Sequence, residues 1–393
     1  MKKLMVLGAG VMQVPLIRKA KEMDLWVIVV GSKGNYPGLK YASQVEFIDF
    51  NDSESVVELA QREHIDGVWT CGLDMPVRTM SIVSERLGLP GIPALAGEIV
   101  SDKWKMKDCF ASGGVRTARY RICHNIDEAE QSFGELRKPV MFKAIDGQGS
   151  KGIVKVSKPE QISYAFDCVR KASHQNAFIV EEFISGIEIG AQAFVLNGEV
   201  KFIMPHGDYV FHGDTGVPIG HYVPSEFSDS VVADCKEQLV RCVKAANLQT
   251  CAINADFILS DDEIYVLEIG ARCGATMLAE TVSLYYGFDY YEKMIQAALG
   301  ENVDFTPGSE RYATATMTLM SKTDGVIVRQ ENSNRDDDSD IVMIQFDHEI
   351  GDRVHKFKLG IDRLGHVIVR GKTLAAAQNK LQEALNHILI EVR

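Results

Sequence analysis

The sequence predicts a three-part protein that combines α/β and α+β folds, and three observations support this. Its 393 residues exceed what one ordinary hydrophobic core holds, so more than one domain is expected. Short apolar runs alternate with helical patterns up to about residue 95, which is typical of a parallel sheet with helices on both faces. Beyond that point, pairs of strands with intervening helices indicate an α+β organisation. We expect domains at residues 1–95, 96–305 and 306–393.

The first domain is predicted from buried-strand and amphipathic-helix patterns. Gly8-Ala9-Gly10, after the first strand, resembles the start of a dinucleotide-binding fingerprint, but Gln13 stands where the third glycine should be. A nicotinamide oxidoreductase is therefore an alternative that the incomplete fingerprint argues against. The predicted strands are Leu4–Leu7, Trp26–Val30, Val45–Phe47 and Val68–Thr70, and the predicted helices are Pro15–Glu22, Ser53–Glu63 and Met75–Leu87.

The middle and C-terminal regions are predicted from strand pairs and turn signals. The middle strands are Val140–Ala144, Ile153–Val156, Phe178–Phe183, Glu188–Leu196 and Val200–Met204, with helices from Asp102-Lys103 to Ala111 and over Gln161–Lys171 and Asp229–Ala246. The tail strands are Thr314–Met320, Gly325–Arg329, Ile341–Gln345, His355–Gly360 and Val367–Gly371, followed by a closing helix over Thr373–Ile390.

Composition narrows the class of protein. With 46% hydrophobic and 24% charged residues, the chain is typical of a globular protein in solution. A net charge of −12 argues against a general nucleic-acid or anionic-membrane surface. The eight cysteines lack zinc-like spacing, and no apolar run is long enough for a signal peptide or a membrane span. We expect a cytoplasmic protein with reduced thiols.

The most informative stretch is NADFILSDDEIYVLEIGAR, residues 254–272. A turn centred on Asp262 places Asp256 directly across from Glu268, with Cβ atoms about 5 Å apart on one face. Opposed like charges destabilise a hairpin unless a cation neutralises them, and Mg²⁺ is commonly bound by carboxylates plus substrate phosphates. An acidic surface hairpin is the simpler alternative. The two predicted strands are Ala255–Leu259 and Ile264–Ile269.

A glycine-rich loop, Asp146–Gly152, lies between two predicted strands and lacks the Walker P-loop spacing. Glycines at 147, 149 and 152 let the backbone approach a ligand and turn its N–H groups toward phosphate oxygens. Lys143, on the entering strand, adds a positive charge. Arg272 offers a planar donor fork to a phosphate or carboxylate. A glycine-rich hairpin without a ligand is the alternative.

In their order along the chain, these parts resemble the ATP-grasp superfamily, in particular its amino-acid ligases and its biotin carboxylase-like and purine-pathway members. The resemblance covers nearly the whole chain. It rests on the GAG opening, Asp102-Lys103, MFKAIDGQGSKGIVKV, IVEEFISGIEIG, DFILSDDEIYVLEIGAR and the segment Gly360–Lys372.

The resemblance implies a function and a role for each matching position. It implies an ATP- and Mg²⁺-dependent ligase that joins a carboxylate to an amine through an acyl phosphate, with a lid at about residues 110–182 and a homodimeric assembly. Its partners would be small acids and amines. The implied ATP contacts are Lys103 and Lys143 on phosphates, Gly147, Gly149, Ser150 and Gly152 over the γ-phosphate, Glu181, Phe183 and Ile184 on adenine, and Glu188 on ribose. Asp256 and Glu268 would hold one or two Mg²⁺ ions, and Arg272 would face the acyl phosphate.

One departure and two further alternatives stay open. The superfamily usually has Asn two residues after the second metal carboxylate, and Gly270 stands there, so the resemblance does not fix the number of metal ions. The same fold could use bicarbonate in a biotin- or carbamoyl-type reaction, or serve as a nucleotide sensor without turnover. The segment 206–225 is interpreted as a substrate-side loop, with His206, His212 and His221 as candidate contacts or a base, although an ordinary loop histidine is the favoured interpretation for each one individually.

Overall fold

The computed structural model describes residues 1–146, 152–173, 175–212 and 216–393. They form two compact units. Unit 1 comprises Met1–Ile203, Phe227–Arg272 and Met294–Asn302, and unit 2 comprises Met204–Glu226, Cys273–Lys293 and Val303–Arg393. Among the described residues, no helix is both long enough and apolar enough to cross a bilayer.

Unit 1 begins with a parallel sheet, which confirms the prediction for the N-terminal region. Its strands lie in the order β3-β2-β1-β4, and every pairing is parallel. Apolar side chains of these strands are fully buried against two of the helices, as expected for a sheet covered on its faces. The strands are β1 (Lys3–Leu7), β2 (Trp26–Val30), β3 (Gln44–Glu46) and β4 (Gly67–Trp69), and the helices are α1 (Val14–Glu22), α2 (Ser53–Glu63), α3 (Val77–Leu87) and α4 (Ala94–Val100).

A second, antiparallel sheet of unit 1 has the order β5-β8-β6-β7. Its core contains Phe142 and Phe178, whose rings stack with centroids 5.8 Å apart. Its elements, with the helix that precedes it, are α5 (Lys103–Ser112), β5 (Tyr120–Cys123), α6 (Ile126–Glu135), β6 (Val140–Ala144), β7 (Ile153–Val156), α7 (Ile162–Ala172) and β8 (Phe178–Glu182).

The third group of strands in unit 1 carries the acidic hairpin. Strands β13-β12-β9-β10 are hydrogen-bonded in that order, and helix α8 packs on β13. Buried residues of α8, β9, β12 and β13 share one hydrophobic cluster, which fixes the hairpin rigidly. The elements are β9 (Ile187–Leu196), β10 (Glu199–His212), α8 (Asp229–Ala245), β12 (Cys251–Ser260) and β13 (Glu263–Gly270).

Unit 2 contains the end of β10, which pairs with β11 (Gly216–Val223), and β11 in turn pairs with the first strand of the tail. The strand order is β10-β11-β14-β18-β16, and a smaller sheet has the order β17-β15-β19. Helix α10 begins in unit 2 and ends in unit 1. The remaining elements are α9 (Leu278–Tyr286), α10 (Tyr290–Ala298), β14 (Ala313–Met320), β15 (Gly325–Asn332), β16 (Ile341–Phe346), β17 (Arg353–Val354), β18 (Arg363–Gly371), α11 (Leu374–Asn386) and β19 (Ile388–Val392).

Two predictions for the tail are wrong. The segment 355–360 is not a strand, because the N–H groups of Lys358 and Leu359 donate to the carboxylate of Asp362 instead of to a neighbouring strand. The closing helix ends at Asn386, and β19 follows it and pairs with β15. The β19 sequence ILIEV is rich in β-branched residues, which favour this strand.

Candidate functional site

The hairpin β12–β13 places the two predicted metal carboxylates opposite each other. Asp256 pairs with Glu268, which confirms the predicted register. The turn itself lies between Asp261 and Asp262, half a residue from the predicted centre, and both residues have positive φ. A bulge between Asp256 and Phe257 compensates for the difference and restores the pairing. The two carboxylates therefore share one face of the hairpin.

Lys103 lies beside this carboxylate pair. It is the first residue of α5, which Asp102 caps at its N-terminus, and its Nζ is 2.9 Å from Oε2 of Glu268. Burial alone would lower the pKa of Lys103, but Glu268 raises it above its ordinary value. Burial alone would raise the pKa of Glu268, yet the Lys103 ammonium lowers it. Both groups are therefore charged near neutral pH. The Glu268 side chain is 44% exposed, which also favours its charged form.

Glu181, on β8, lies between two lysines. Its Oε2 is 2.8 Å from Nζ of Lys107, and its Oε1 contacts Nζ of Lys143. Glu181 is 2% exposed and Lys107 is 3% exposed. Burial opposes ionisation of Glu181, but the two ammonium groups lower its pKa to about 2. Two lysines against one carboxylate leave an excess positive charge, which suits an anionic ligand.

Arg272 follows β13 and ends the segment Phe227–Arg272 of unit 1. It forms a bidentate ion pair with Asp74. Its Nε is 2.7 Å from Oδ1, and its Nη2 is 2.7 Å from Oδ2. A Cβ at Gly270 would lie 2.8 Å from that same Oδ1. The glycine that replaces the superfamily's Asn therefore makes room for the Asp74 carboxylate.

Asn254 brings an amide to the same face of the sheet. It pairs with Gly270 across the hairpin and with Gln192 on β9. The Gln192 amide donates to Oδ1 of Asn254 at 2.7 Å. Residues 254 and 256 are two apart on β12, so the Asn254 amide and the Asp256 carboxylate face the same way.

Several of these groups border a cavity of about 1140 Å³ in unit 1. Its wall includes Asp74, Lys103, Asp256, Glu268 and Arg272. A cavity of this size is large enough for a nucleotide together with a small substrate.

The other predicted site residues lie on or near β8 and β9. Phe183 is half-buried, and Lys155 lies over its ring with Nζ 3.6 Å from the centroid. Ile184 is buried in a small apolar cluster, whereas Glu188 is exposed. Gly152 has φ +69°, and a Cβ there would lie 2.6 Å from that of Ala172. Gly147, Gly149 and Ser150 lie outside the described residues.

Sequence reasoning missed Asp74 and Lys107. Asp74 follows β4, at the carboxyl end of a parallel sheet, where ligand-binding side chains commonly lie. Lys107 is one helical turn after Lys103 and therefore faces the same way. The position of Asp74 after a strand and the four-residue spacing of Lys103 and Lys107 can both be read from the sequence. Neither of them shows that Asp74 pairs with Arg272 or that Lys107 pairs with Glu181.

The first glycine loop is filled by its own chain. Oε1 of Gln13 accepts a hydrogen bond from the Gly10 N–H at 2.8 Å, and Nε2 of Gln13 donates to the carbonyl of Cys71. Gln13 thus occupies the space beside an N–H that a pyrophosphate would use in a dinucleotide fold. This geometry therefore argues against a dinucleotide site at the loop.

Two family models match the chain. Residues 101–276 match the phosphoribosylglycinamide synthetase ATP-grasp (A) domain. This matched range of the chain includes the hairpin β12–β13, Lys103, Lys143 and Glu181. Residues 317–393 match the L-amino acid ligase C-terminal domain 2.

Relatives and solved structures give a consistent result. The crystal structure of phosphoribosylglycinamide synthetase from Anaerococcus prevotii is 34% identical with a TM-score of 0.87, and the match covers 100% of both chains. Alanine–anticapsin ligase of Bacillus subtilis strain 168 is 23% identical over 278 residues, 65% of this chain and 58% of the relative. The chain is also 22% identical over 390 residues to formate-dependent phosphoribosylglycinamide formyltransferase of Parasynechococcus marenigrum strain WH8102, 98% of this chain and 96% of the relative.

Proposed function

Because the chain belongs to the ATP-grasp family of ATP-dependent carboxylate–amine ligases, we propose that it joins an amino acid or small organic acid to an amine in the cavity of unit 1. The observation that carries this proposal is the opposed pair Asp256 and Glu268, with Lys103 at 2.9 Å from Glu268. Two carboxylates and a lysine on one cavity wall suit Mg²⁺ and a triphosphate.

The nucleotide is assigned to Lys103 of α5, which lines the cavity, together with Lys143 on β6 and Glu181 on β8. Lys103 and Lys143 bind the α- and β-phosphates, and each already holds a carboxylate that fixes its direction. Glu181 and the backbone near Phe183 and Ile184 hold adenine, while Glu188, which is exposed on β9, takes the ribose hydroxyls. The excess charge of the two-lysine site balances part of the triphosphate charge.

Asp256 and Glu268 fit Mg²⁺, because hard oxygen donors with one or two carboxylates suit this ion. When bound, Mg²⁺ neutralises the charge that develops on the transferred phosphoryl group. Asn254 is a further oxygen donor on the same face and compensates for the missing Asn at position 270.

The reaction needs no nucleophilic side chain. The acid's carboxylate attacks the γ-phosphorus of ATP, ADP leaves, and an acyl phosphate forms. The amine then attacks the acyl carbon, phosphate leaves, and the amine's proton passes to solvent. The protein binds and orients the reactants, and Arg272, held by Asp74, places its guanidinium against the acyl phosphate.

The acid is assigned to the amino acids on the strength of the C-terminal match, because residues 317–393 match a domain of L-amino acid ligases. The names of the relatives point the same way. One names alanine, and another names phosphoribosylglycinamide.

The proposal is tested by an ADP-release screen of the full chain with ATP and Mg²⁺ over paired amino acids, small organic acids and amines. We expect ADP and phosphate to form only when a particular acid and amine are both present, and mass spectrometry to show their condensation product. Formation of phosphoribosylglycinamide would narrow the amine to a phosphoribosyl compound.

Other outcomes would overturn the proposal in distinct ways. ADP release stimulated by bicarbonate without any organic acid would indicate the carboxylating alternative. Release of AMP and pyrophosphate would exclude an acyl phosphate. ATP binding without ADP release for any acid–amine pair would indicate a nucleotide sensor.

A further inference from the structure

A cluster of two histidines and one aspartate lies in unit 2, on the hairpin β10–β11. His206 and Asp208 are two residues apart on β10, so their side chains leave the same face of the strand. His221 on β11 pairs directly with Asp208. Strand geometry therefore brings all three side chains to one face of the hairpin.

Both imidazoles use the same carboxylate oxygen. Oδ1 of Asp208 is 2.8 Å from Nδ1 of His206 and 2.6 Å from Nδ1 of His221. Without a metal ion, each neutral ring donates from Nδ1 to the carboxylate. With a metal ion, the two Nδ1 atoms and Oδ1 would be the ligand atoms, and each ring would carry its proton on Nε2. Neither Nε2 has a hydrogen-bond partner among the described residues, and both atoms are buried.

The surroundings favour a neutral ring at His206 and an ionised carboxylate at Asp208. His206 and His221 are each 3% exposed. Burial lowers the pKa of His206, although Asp208 opposes this. Burial alone would raise the pKa of Asp208, but the two imidazoles lower it strongly. Neutral imidazole and ionised carboxylate are the forms that bind metal ions.

The cluster is held by neighbouring strands. The His221 N–H donates to Oγ1 of Thr316 at 2.9 Å, and the Thr316 hydroxyl donates to the carbonyl of His221 at 3.3 Å. Thr316 lies on β14, so the backbone that carries His221 is fixed by the next strand. Such support lowers the entropic penalty of ordering metal ligands.

We propose that His206, Asp208 and His221 form a binding site for one divalent transition-metal ion of the zinc type, separate from the Mg²⁺ pair of unit 1. One ligand atom from each residue can be chosen so that all three lie within 4.8 Å of one another. Zinc bonds of about 2.0–2.2 Å require ligand atoms roughly 3–4 Å apart, so small side-chain movements complete the site. Water takes the fourth position.

The donor set selects the metal. Two imidazole nitrogens and one carboxylate suit Zn²⁺, and Cu²⁺ or Ni²⁺ by the same ligand preference. Mg²⁺ prefers oxygen ligands and retains its water shell, so it competes poorly here.

The test is a titration of the chelator-treated full chain with Zn²⁺ by calorimetry, in the presence of millimolar Mg²⁺. We expect one Zn²⁺ per chain. We also expect slower hydrogen exchange in peptides covering residues 204–212 and 216–226, and Co²⁺ in place of Zn²⁺ should give the absorption of a four-coordinate site. Binding of no Zn²⁺, or Co²⁺ absorption of a purely aqueous ion, would overturn the proposal without relying on any variant.

Matched variants locate the ion. His206→Gln and His221→Gln should weaken Zn²⁺ binding by roughly 10- to 100-fold or more. His212→Gln, an exposed histidine at the end of the same strand, should bind as the unsubstituted chain does. Glu268→Gln should also keep full affinity. Unchanged affinity in both His206→Gln and His221→Gln, or a loss confined to Glu268→Gln, would contradict the assignment.

Discussion

Position 270 shows how one missing Cβ arranges the site. Gly270 leaves space for the Asp74 carboxylate, which in turn holds Arg272 through an ion pair and one hydrogen bond from Nη2. The superfamily's Asn cannot be placed here without moving Asp74. The glycine at position 270 therefore goes together with a different set of oxygen atoms at the site. The Asp74 carboxylate lies next to Gly270, and the Asn254 amide lies on the paired strand.

Gly270→Ala should lower the free energy of unfolding of unit 1 by about 1 kcal/mol, because the new Cβ displaces Asp74 from Arg272. The measurement is denaturant unfolding followed by tryptophan fluorescence. In an Asp74→Ala background the same substitution should be neutral or stabilising, since nothing remains to displace. An equal loss in both backgrounds would show that Asp74 is not the group in conflict.

Lys143→Ala should raise the KM for ATP with a smaller effect on kcat. A lost charge-assisted contact costs roughly 1.5–3 kcal/mol, which is about 10- to 100-fold in KM. Glu181 keeps Lys107 as a partner, so the chain should stay folded. Lys158→Ala, an exposed lysine, serves as the control. A rise confined to the KM of the acid would remove Lys143 from the nucleotide side.

At the scale of the element, the hairpin β12–β13 is the clearest success of sequence reasoning. Alternation and charge pairing predicted that Asp256 opposes Glu268, and the structure agrees. The two-residue turn and the bulge were not predicted, because a bulge depends on packing of the bulged strand against its neighbours.

Asp262→Gly should stabilise unit 1 by about 0.5–1 kcal/mol. Asp261 and Asp262 have φ of 49° and 62°, and a two-residue turn of this kind favours glycine at its second position. Unfolding monitored by fluorescence gives the change, and ADP release should not change. Asp262→Val should be destabilising by a similar amount. A less stable Asp262→Gly chain would refute the turn assignment.

At the scale of the whole molecule, the three tryptophans at positions 26, 69 and 104 all belong to unit 1. Their fluorescence therefore reports on the unit that carries the nucleotide site. The histidine cluster belongs to unit 2 and needs a different probe, such as hydrogen exchange.

The pH dependence of unit 1 should include a contribution from Glu181. Its folded pKa of about 2 lies below the ordinary 4.5, so its stabilisation is full above pH 4.5 and is lost as pH falls towards 2. The shift corresponds to roughly 3 kcal/mol. The stability difference between the unsubstituted chain and Glu181→Gln should therefore shrink over this range. A constant difference from pH 6 to pH 2 would contradict the charged, two-lysine environment.

Much of the molecule could be predicted from sequence because local patterns specify it. The parallel N-terminal sheet, the hairpin carboxylates and Lys103 follow from periodicity, turn signals and motif order. Asp74 and Lys107 could not be assigned because their partners, Arg272 and Glu181, are distant in sequence. The shared carboxylate of His206 and His221 was missed for another reason, because the pairing of β10 with β11 was not predicted. The three-part division and the individual ATP contacts stay predictions.

The most direct measurement of the central claim is ADP release by Glu268→Gln with a turned-over acid–amine pair. If Asp256 and Glu268 hold Mg²⁺ at the triphosphate, turnover should fall by at least about 100-fold while the chain stays folded. Glu263→Gln, on the same strand but exposed, should turn over normally. Unchanged turnover in a folded Glu268→Gln chain would contradict the account.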